Sequence, residues 1–467
     1  MNATSNHTHA DAVPSAESAP AASPVDSQDG PPEGGLILLA ASLGLGLHLG
    51  AWRFRSGAAA DYLNAGYYRA LAQTAERGKL HGLFLADTLT LSEDNLDRPS
   101  FGAVDPLETL ATVVPFTTHL GLVATATTSF NEPYDLARRF STLDHLSNGR
   151  AAWNVVTTFI PDVAANFGAT SLPSHQDRYD RAEEFVDVVN ELWGSWEDYA
   201  LIGDKAAGTF ADISAVHPIH HHGSHFSVEG ALTLPRTPQG RPVIVQAGSS
   251  EAGRELAART ADAVFAVQNT VESAIAFRQD LRRRAVAHGR PADAVKVLPG
   301  IVPIIGSTVE EAIDRKRRLD DLATDAELHK LALRIGVPDD ALDLDKPIPF
   351  DLVPTGPEFN ASHGFRDAVL ELARRDNLTV REVLYRNGGG HIQVIGTATD
   401  VADTITQWYQ AGAVDGFNLI FDVLPDGLDT FVDTVVPILQ ERGVFHTEYS
   451  GRTFRENLNL PDDRPQR

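Results

Sequence analysis

The stretch Gly121–Thr158, GLVATATTSFNEPYDLARRFSTLDHLSNGRAAWNVVTT, constrains the fold more than any other part of the chain. An apolar run from Leu120 to Ala126 ends in small hydroxyl residues, and Asn131-Glu132-Pro133 follows, with the proline where a helix's first turn tolerates it. Leu136, Phe140 and Leu143 then recur at helical spacing, Asn148-Gly149 stops the helix, and a second apolar run covers Ala151 to Val156. The pattern is strand, helix, strand. Thr125, Thr127 and Thr128 end the first strand; Asn154, Thr157 and Thr158 end the second. A helical crossover makes the two strands parallel, so both polar ends reach one rim of the sheet, where α/β folds place their chemistry.

The same alternation runs through the chain. Strand signals at Leu36–Ser42, Gly82–Asp87, Val243–Ala247, Ala261–Val267, Val295–Ile305 and Gly416–Phe421 join the two above, each followed by a helix signal. Eight such pairs predict an α/β protein, a (β/α)8 TIM barrel with two long insertions. The expected organisation is a disordered tail over 1–34, rich in Ala, Ser and Pro, one barrel over 35–460, and a short tail over 461–467. The insertions fall near 158–240 and 324–390, the second rich in Asp and Pro early and helical late. A long insertion on a compact domain is usually a lid or binding element.

Charge and cysteine content exclude several functions. A formal net charge of −24 repels phosphate backbones and anionic lipid, so neither nucleic acid nor a membrane surface is an expected partner. The absence of cysteine rules out disulfides and thiolate metal sites. Leu36–Leu49 is too short to span a bilayer and lacks a basic segment before it, which predicts a cytoplasmic protein. His217, His220, His221, His222 and His225 invite a metal reading, but a loop broken by Pro and Gly offers no ordered ligand spacing, and no metal is expected.

Polar residues collect where the strands end. After the first strand, glycines lead to His48, Trp52 and Arg53: a base, a flat apolar wall and a cation. Asp87, Thr127 and Asn154 follow strands two to four, and Ser249-Ser250 follow strand five at a helix start, where N–H groups, hydroxyls and the helix dipole suit a phosphate. His175 and Tyr179, four residues apart, share a face at another helix start. Gly388–Gly390 form a bend that lets His391 reach inwards. Each also has an ordinary reading: a structural histidine, a helix cap, an exposed tyrosine.

The runs LVATATTSFNEPY, LARRF and LDHLSNGRAAWNVVTT resemble the flavin-dependent monooxygenases of the nitrilotriacetate and dibenzothiophene-sulfone type, within the bacterial luciferase-like superfamily. That resemblance, over roughly Leu36 to Leu460, implies an enzyme that takes reduced FMN from a separate NAD(P)H:flavin reductase, binds O2, and oxygenates a small molecule through a flavin hydroperoxide. It implies that Ser249, Ser250, Tyr179 and His175 contact FMN, the serines at its phosphate, and that Asp87, Thr127 and Asn154 fix the ring or ribityl. His48 and His391 are then proton-relay candidates beside substrate, with Trp52 and Arg53 facing the substrate, no metal, and a homo-oligomeric assembly, dimer or tetramer. Two alternatives stand: a deazaflavin- or flavin-linked dehydrogenase on the same barrel, and a binding protein without turnover.

Overall fold

The computed structural model describes residues 35–91, 102–248, 250–354, 363–388 and 390–462. The predicted tail over 1–34, the last residues of the tail over 461–467, and Ser249 lie outside them. Nine parallel strands matter here: β1 (Ile37–Ser42), β2 (Gly82–Leu85), β3 (Gly121–Thr127), β4 (Ala151–Val156), β5 (Val243–Ala247), β6 (Ala263–Ala266), β7 (Lys296–Ile305), β8 (His391–Gly396) and β9 (Gly416–Ile420). Strands β1 to β7 pair in sequence order, and β9 closes the ring between β7 and β1. The predicted (β/α)8 barrel is therefore present. Strand β8 is an addition: it lies along the upper half of β7, from Ile301↔Ile392 to Ile305↔Gly396.

Side chains alternate along each strand, so odd and even positions build two cores. The inner one holds Leu39, Phe84, Val123, Ala152, Val245 and Leu298, among others, and is floored by Phe454, Leu458 and Leu460. Gly121, at the lower end of β3, is where that floor meets the strand: a Cβ there would lie 2.3 Å from the Phe454 ring. The outer core packs the other face of the strands against the helices, with Trp153 against Phe140 and Phe185. Thr125 and Thr127 share the inner face with Val123, and Asn154 shares it with Ala152.

The second insertion is helical from its start, at α1 (Thr324–Ile335), before α2 (His363–Arg375) and α3 (Val380–Arg386). It has a small core of its own. It reaches over the mouth from both sides: Leu49 N–H donates to Glu327 at 3.1 Å, and Asn269 Nδ2 donates to the Ala368 carbonyl at 3.1 Å. The first insertion carries the histidine cluster in a hairpin, where His220 meets Glu229 at 2.9 Å and His221 meets Glu184 at 3.3 Å. Among the described residues no group of histidines and carboxylates could hold a metal ion, and no helix is long and apolar enough to cross a membrane.

Candidate active site

Two clusters stand on opposite sides of the barrel mouth. The first lies beyond β4 and β5. Ser250 is the N-cap of the helix Glu251–Thr260, accepting from Gly253 N–H at 3.2 Å, and its hydroxyl donates to Tyr179 Oη at 3.4 Å. His175 stacks obliquely on Tyr179, ring centres 4.7 Å apart. A Cβ on Gly253 would meet Ser250 Oγ at 3.1 Å, Tyr179 Oη at 3.2 Å and Gly248 Cα at 3.3 Å. The backbone and two hydroxyls thus form a tight cradle at a helix N-terminus.

The second cluster lies beyond β1 and β7. His48 Nδ1 accepts from Gly50 N–H at 3.0 Å, so the ring proton is on Nε2, which donates to Asp320 at 3.0 Å. Lys316 holds the same Asp320 oxygen. Both nitrogens of His48 are therefore used within the protein. His391 differs. Its ring lies in the space that Gly300 leaves by having no side chain, since a Cβ there would sit 2.3 Å from His391 Nδ1. That nitrogen is sealed from solvent with no hydrogen-bond partner, although the residue as a whole keeps some exposure. Burial first, then the Arg334 and Lys330 cations, push the His391 pKa down to about 3, so the ring is neutral near pH 7. Trp52 is half-buried against the main core, and Arg53 is exposed with its guanidinium on the Leu322 carbonyl at 2.7 Å.

Between the clusters, the inner wall carries polar groups. Thr127 Oγ1 accepts from Ser129 N–H at 3.1 Å and pairs with Thr158 Oγ1 at 2.9 Å. Asn154 Nδ2 donates to Thr125 Oγ1 at 2.9 Å, while Asn154 Oδ1 is buried and unpartnered. Gln393, on the same face of β8 as His391, also has an unpartnered buried oxygen. Orphaned buried acceptors are costly unless something fills them, so the wall suits a polar ligand. Asp87, just past β2, has its carboxyl pushed up to about 6 by burial, with Asp105 adding to the rise and Thr88 N–H opposing it.

A match to the luciferase-like monooxygenase family model covers residues 47–415. The chain belongs to that family. It is 43% identical over 430 residues to nitrilotriacetate monooxygenase component A of Aminobacter aminovorans, covering 89% of this chain and 94% of that one. Dibenzothiophene-sulfone monooxygenase of Rhodococcus erythropolis is 40% identical, with 88% and 93% covered. Among solved structures, the EDTA monooxygenase from Chelativorans sp. BNC1 superimposes with a TM-score of 0.77 at 34% identity, covering 92% of this chain and 99% of that one. The enzyme is accordingly a flavin-dependent, oxygen-incorporating oxidoreductase. Deazaflavin-dependent enzymes share its fold at 14–16% identity, a likeness of architecture alone.

Several residues of this mouth escape the sequence patterns. Glu327 and Arg334 come from a helix hidden in an Asp-rich insertion, and Asp320 from the end of the helix Val309–Asp321 just before it. Gly300 is silent in sequence because its role is to leave room for a residue far along the chain.

Proposed function

We propose that this monooxygenase binds reduced FMN across the mouth, its phosphate against Ser250, Tyr179 and His175. Thr127, Asn154 and Asp87 then bracket the ribityl and ring, and His391, His48, Trp52 and Arg53 border the substrate. The reading is carried by one observation. Asn154 Oδ1 and His391 Nδ1 are both buried and unpartnered, one on the inner face of β4 and the other over Gly300 of β7, between a hydroxyl cradle and a helical lid. The residues fit the group: the cradle offers N–H and O–H donors to a phosphate, and the wall offers acceptors to ring or ribityl donors.

When bound, the reduced flavin supplies the electrons that activate O2. The chain's own contributions follow from its geometry. The lid helices limit water at the inner wall. His391, neutral at working pH, offers one nitrogen towards the ligand to give or accept a hydrogen bond. His48, clamped between Gly50 and Asp320, holds the β1 loop against the helix Val309–Asp321. A separate flavin reductase supplies the reduced cofactor, the protein works in the cytoplasm, and it assembles as a homo-oligomer.

The test supplies reduced FMN through a reductase and follows O2 consumption together with mass spectrometry of candidate substrates. Product heavier by one oxygen, or lacking a side group, is expected. Hydride transfer to or from a substrate with no O2 consumed would favour the dehydrogenase instead.

A further inference from the structure

Helix α1 carries Glu327, Lys330 and Arg334 at intervals that put them on one face. The face can be traced from one end to the other. Glu327 is fixed by Leu49 N–H at the β1 loop, and Lys330 Nζ lies 3.9 Å from Glu327 Oε2. Arg334 reaches furthest, its guanidinium 5.7 Å from the centre of the Phe365 ring, which stands edge-on to His391 at 5.3 Å. The stripe therefore runs from the β1 loop to the ring that lies over Gly300.

The charges along this stripe do not balance. Glu327 answers Lys330. Among the described residues no carboxylate or carbonyl accepts a hydrogen bond from Arg334, which is only partly exposed. Burial lowers its pKa, and the distant Glu327 only partly opposes that. A guanidinium enclosed in this way with no anion paired to it among the described residues is unfavourable, because its five N–H donors lose water and only the distant Glu327 opposes the charge. The phosphate cradle at Ser250 is on the other side of the barrel, so the cofactor's phosphate does not answer Arg334.

We propose that Arg334, supported by Lys330, binds a carboxylate of an acidic substrate whose reacting end lies beside His391. The proposal rests on the mouth being the monooxygenase site and adds the substrate class: a small organic acid, with the carboxylate held apart from the atom that is oxygenated. A planar guanidinium matches a carboxylate with two parallel hydrogen bonds, which an uncharged ester cannot reproduce.

The test uses the full chain with FMN bound and titrates succinate, tricarballylate and the methyl esters of both by calorimetry. Binding of the acids, tighter for the tricarboxylate, and absence of binding by the esters are expected. Arg334→Gln should weaken acid binding roughly tenfold to a hundredfold, the range of one charge-assisted pair, while FMN affinity stays as in the wild type. Arg334→Lys keeps the charge without the fork and should fall between the two. Esters that bind as well as acids, an Arg334→Gln variant with unchanged acid affinity, or no acid binding at all would each overturn the proposal. Wild-type protein that binds no FMN would instead remove the reading of the mouth itself.

Discussion

Gly300→Ala isolates the fit between β7 and His391. The new Cβ would lie 2.3 Å from His391 Nδ1, whereas unstrained contacts begin near ~3.5 Å, so the ring must retreat by roughly 1 Å or swing outwards. Overpacking of this kind costs about 1–3 kcal/mol. Titration gives a second, opposite effect. In the wild type the folded ring refuses a proton until about pH 3, whereas the unfolded ring accepts one near its ordinary 6.5. Wild-type stability therefore falls as pH drops from 6.5 towards 3, by at most about 2 kcal/mol at pH 5, because the residue keeps some exposure. A displaced, solvated ring has nearly the same pKa folded and unfolded, and that loss disappears. The variant should thus be less stable than wild type at pH 8, with the deficit shrinking or vanishing by pH 5. Urea denaturation at the two pH values measures this, and NMR of the His391 ring, assigned by its loss in His391→Gln, should show titration near pH 6 only in the variant. With His391 beside the substrate as proposed, a shift of roughly 1 Å should also lower turnover on the order of a hundredfold. An equal stability deficit at both pH values, with a ring that still does not titrate, would refute the placement of His391 over Gly300.

Three other outcomes follow from the same geometry. Ser250→Asp keeps a competent helix cap but sets a carboxylate against the cofactor's phosphate, and FMN affinity by equilibrium dialysis should fall about a hundredfold; unchanged affinity removes the phosphate assignment. Asn154→Leu removes a buried unpartnered oxygen at similar volume, so the apoprotein should melt no lower than wild type while FMN binds about tenfold more weakly; a variant that keeps full FMN affinity would take Asn154 off the cofactor. Phe454→Ala empties the floor of the barrel and should cost about 3–5 kcal/mol in urea denaturation, and a cost below about 1 kcal/mol would show that the C-terminal segment does not close the bottom.

The strands are legible because parallel strands buried on both faces read as apolar runs between turn residues. Ala151–Val156 and Val243–Ala247 are strands over the predicted residues. Helix ends follow local chemistry less visible at first sight: Asn64 caps the helix Ala65–Arg77, and Asp61–Leu63 before it forms a separate short turn. The lid helix α1 has an ordinary apolar face in Leu331, Ala332 and Ile335, but it sits in a stretch whose Asp and Pro content suggests irregular chain. Strand β8 has no place in a count that closes at eight. It exists because β7 is ten residues long and its upper half outruns β9, which pairs only at Gly300 and Ile301.

The two histidines singled out by sequence show what spacing cannot supply. Each follows a glycine-rich run near a strand, and both lie at the mouth. Their difference comes from residues hundreds of positions away or on another strand. Asp320 and the Gly50 amide consume both nitrogens of His48, so that ring is a tether between the β1 loop and the helix Val309–Asp321. Gly300 leaves His391 a pocket and no partner for Nδ1. The two are linked through the chain, since the helix Val309–Asp321 that carries Asp320 ends just before α1, and Arg334 lies near the far end of α1, beside the Phe365 ring that packs on His391. A ligand held by Arg334, as proposed, would pull on a helix whose Glu327 is pinned by Leu49 N–H. The proposed acid site and the contact with the β1 loop thus share one helix.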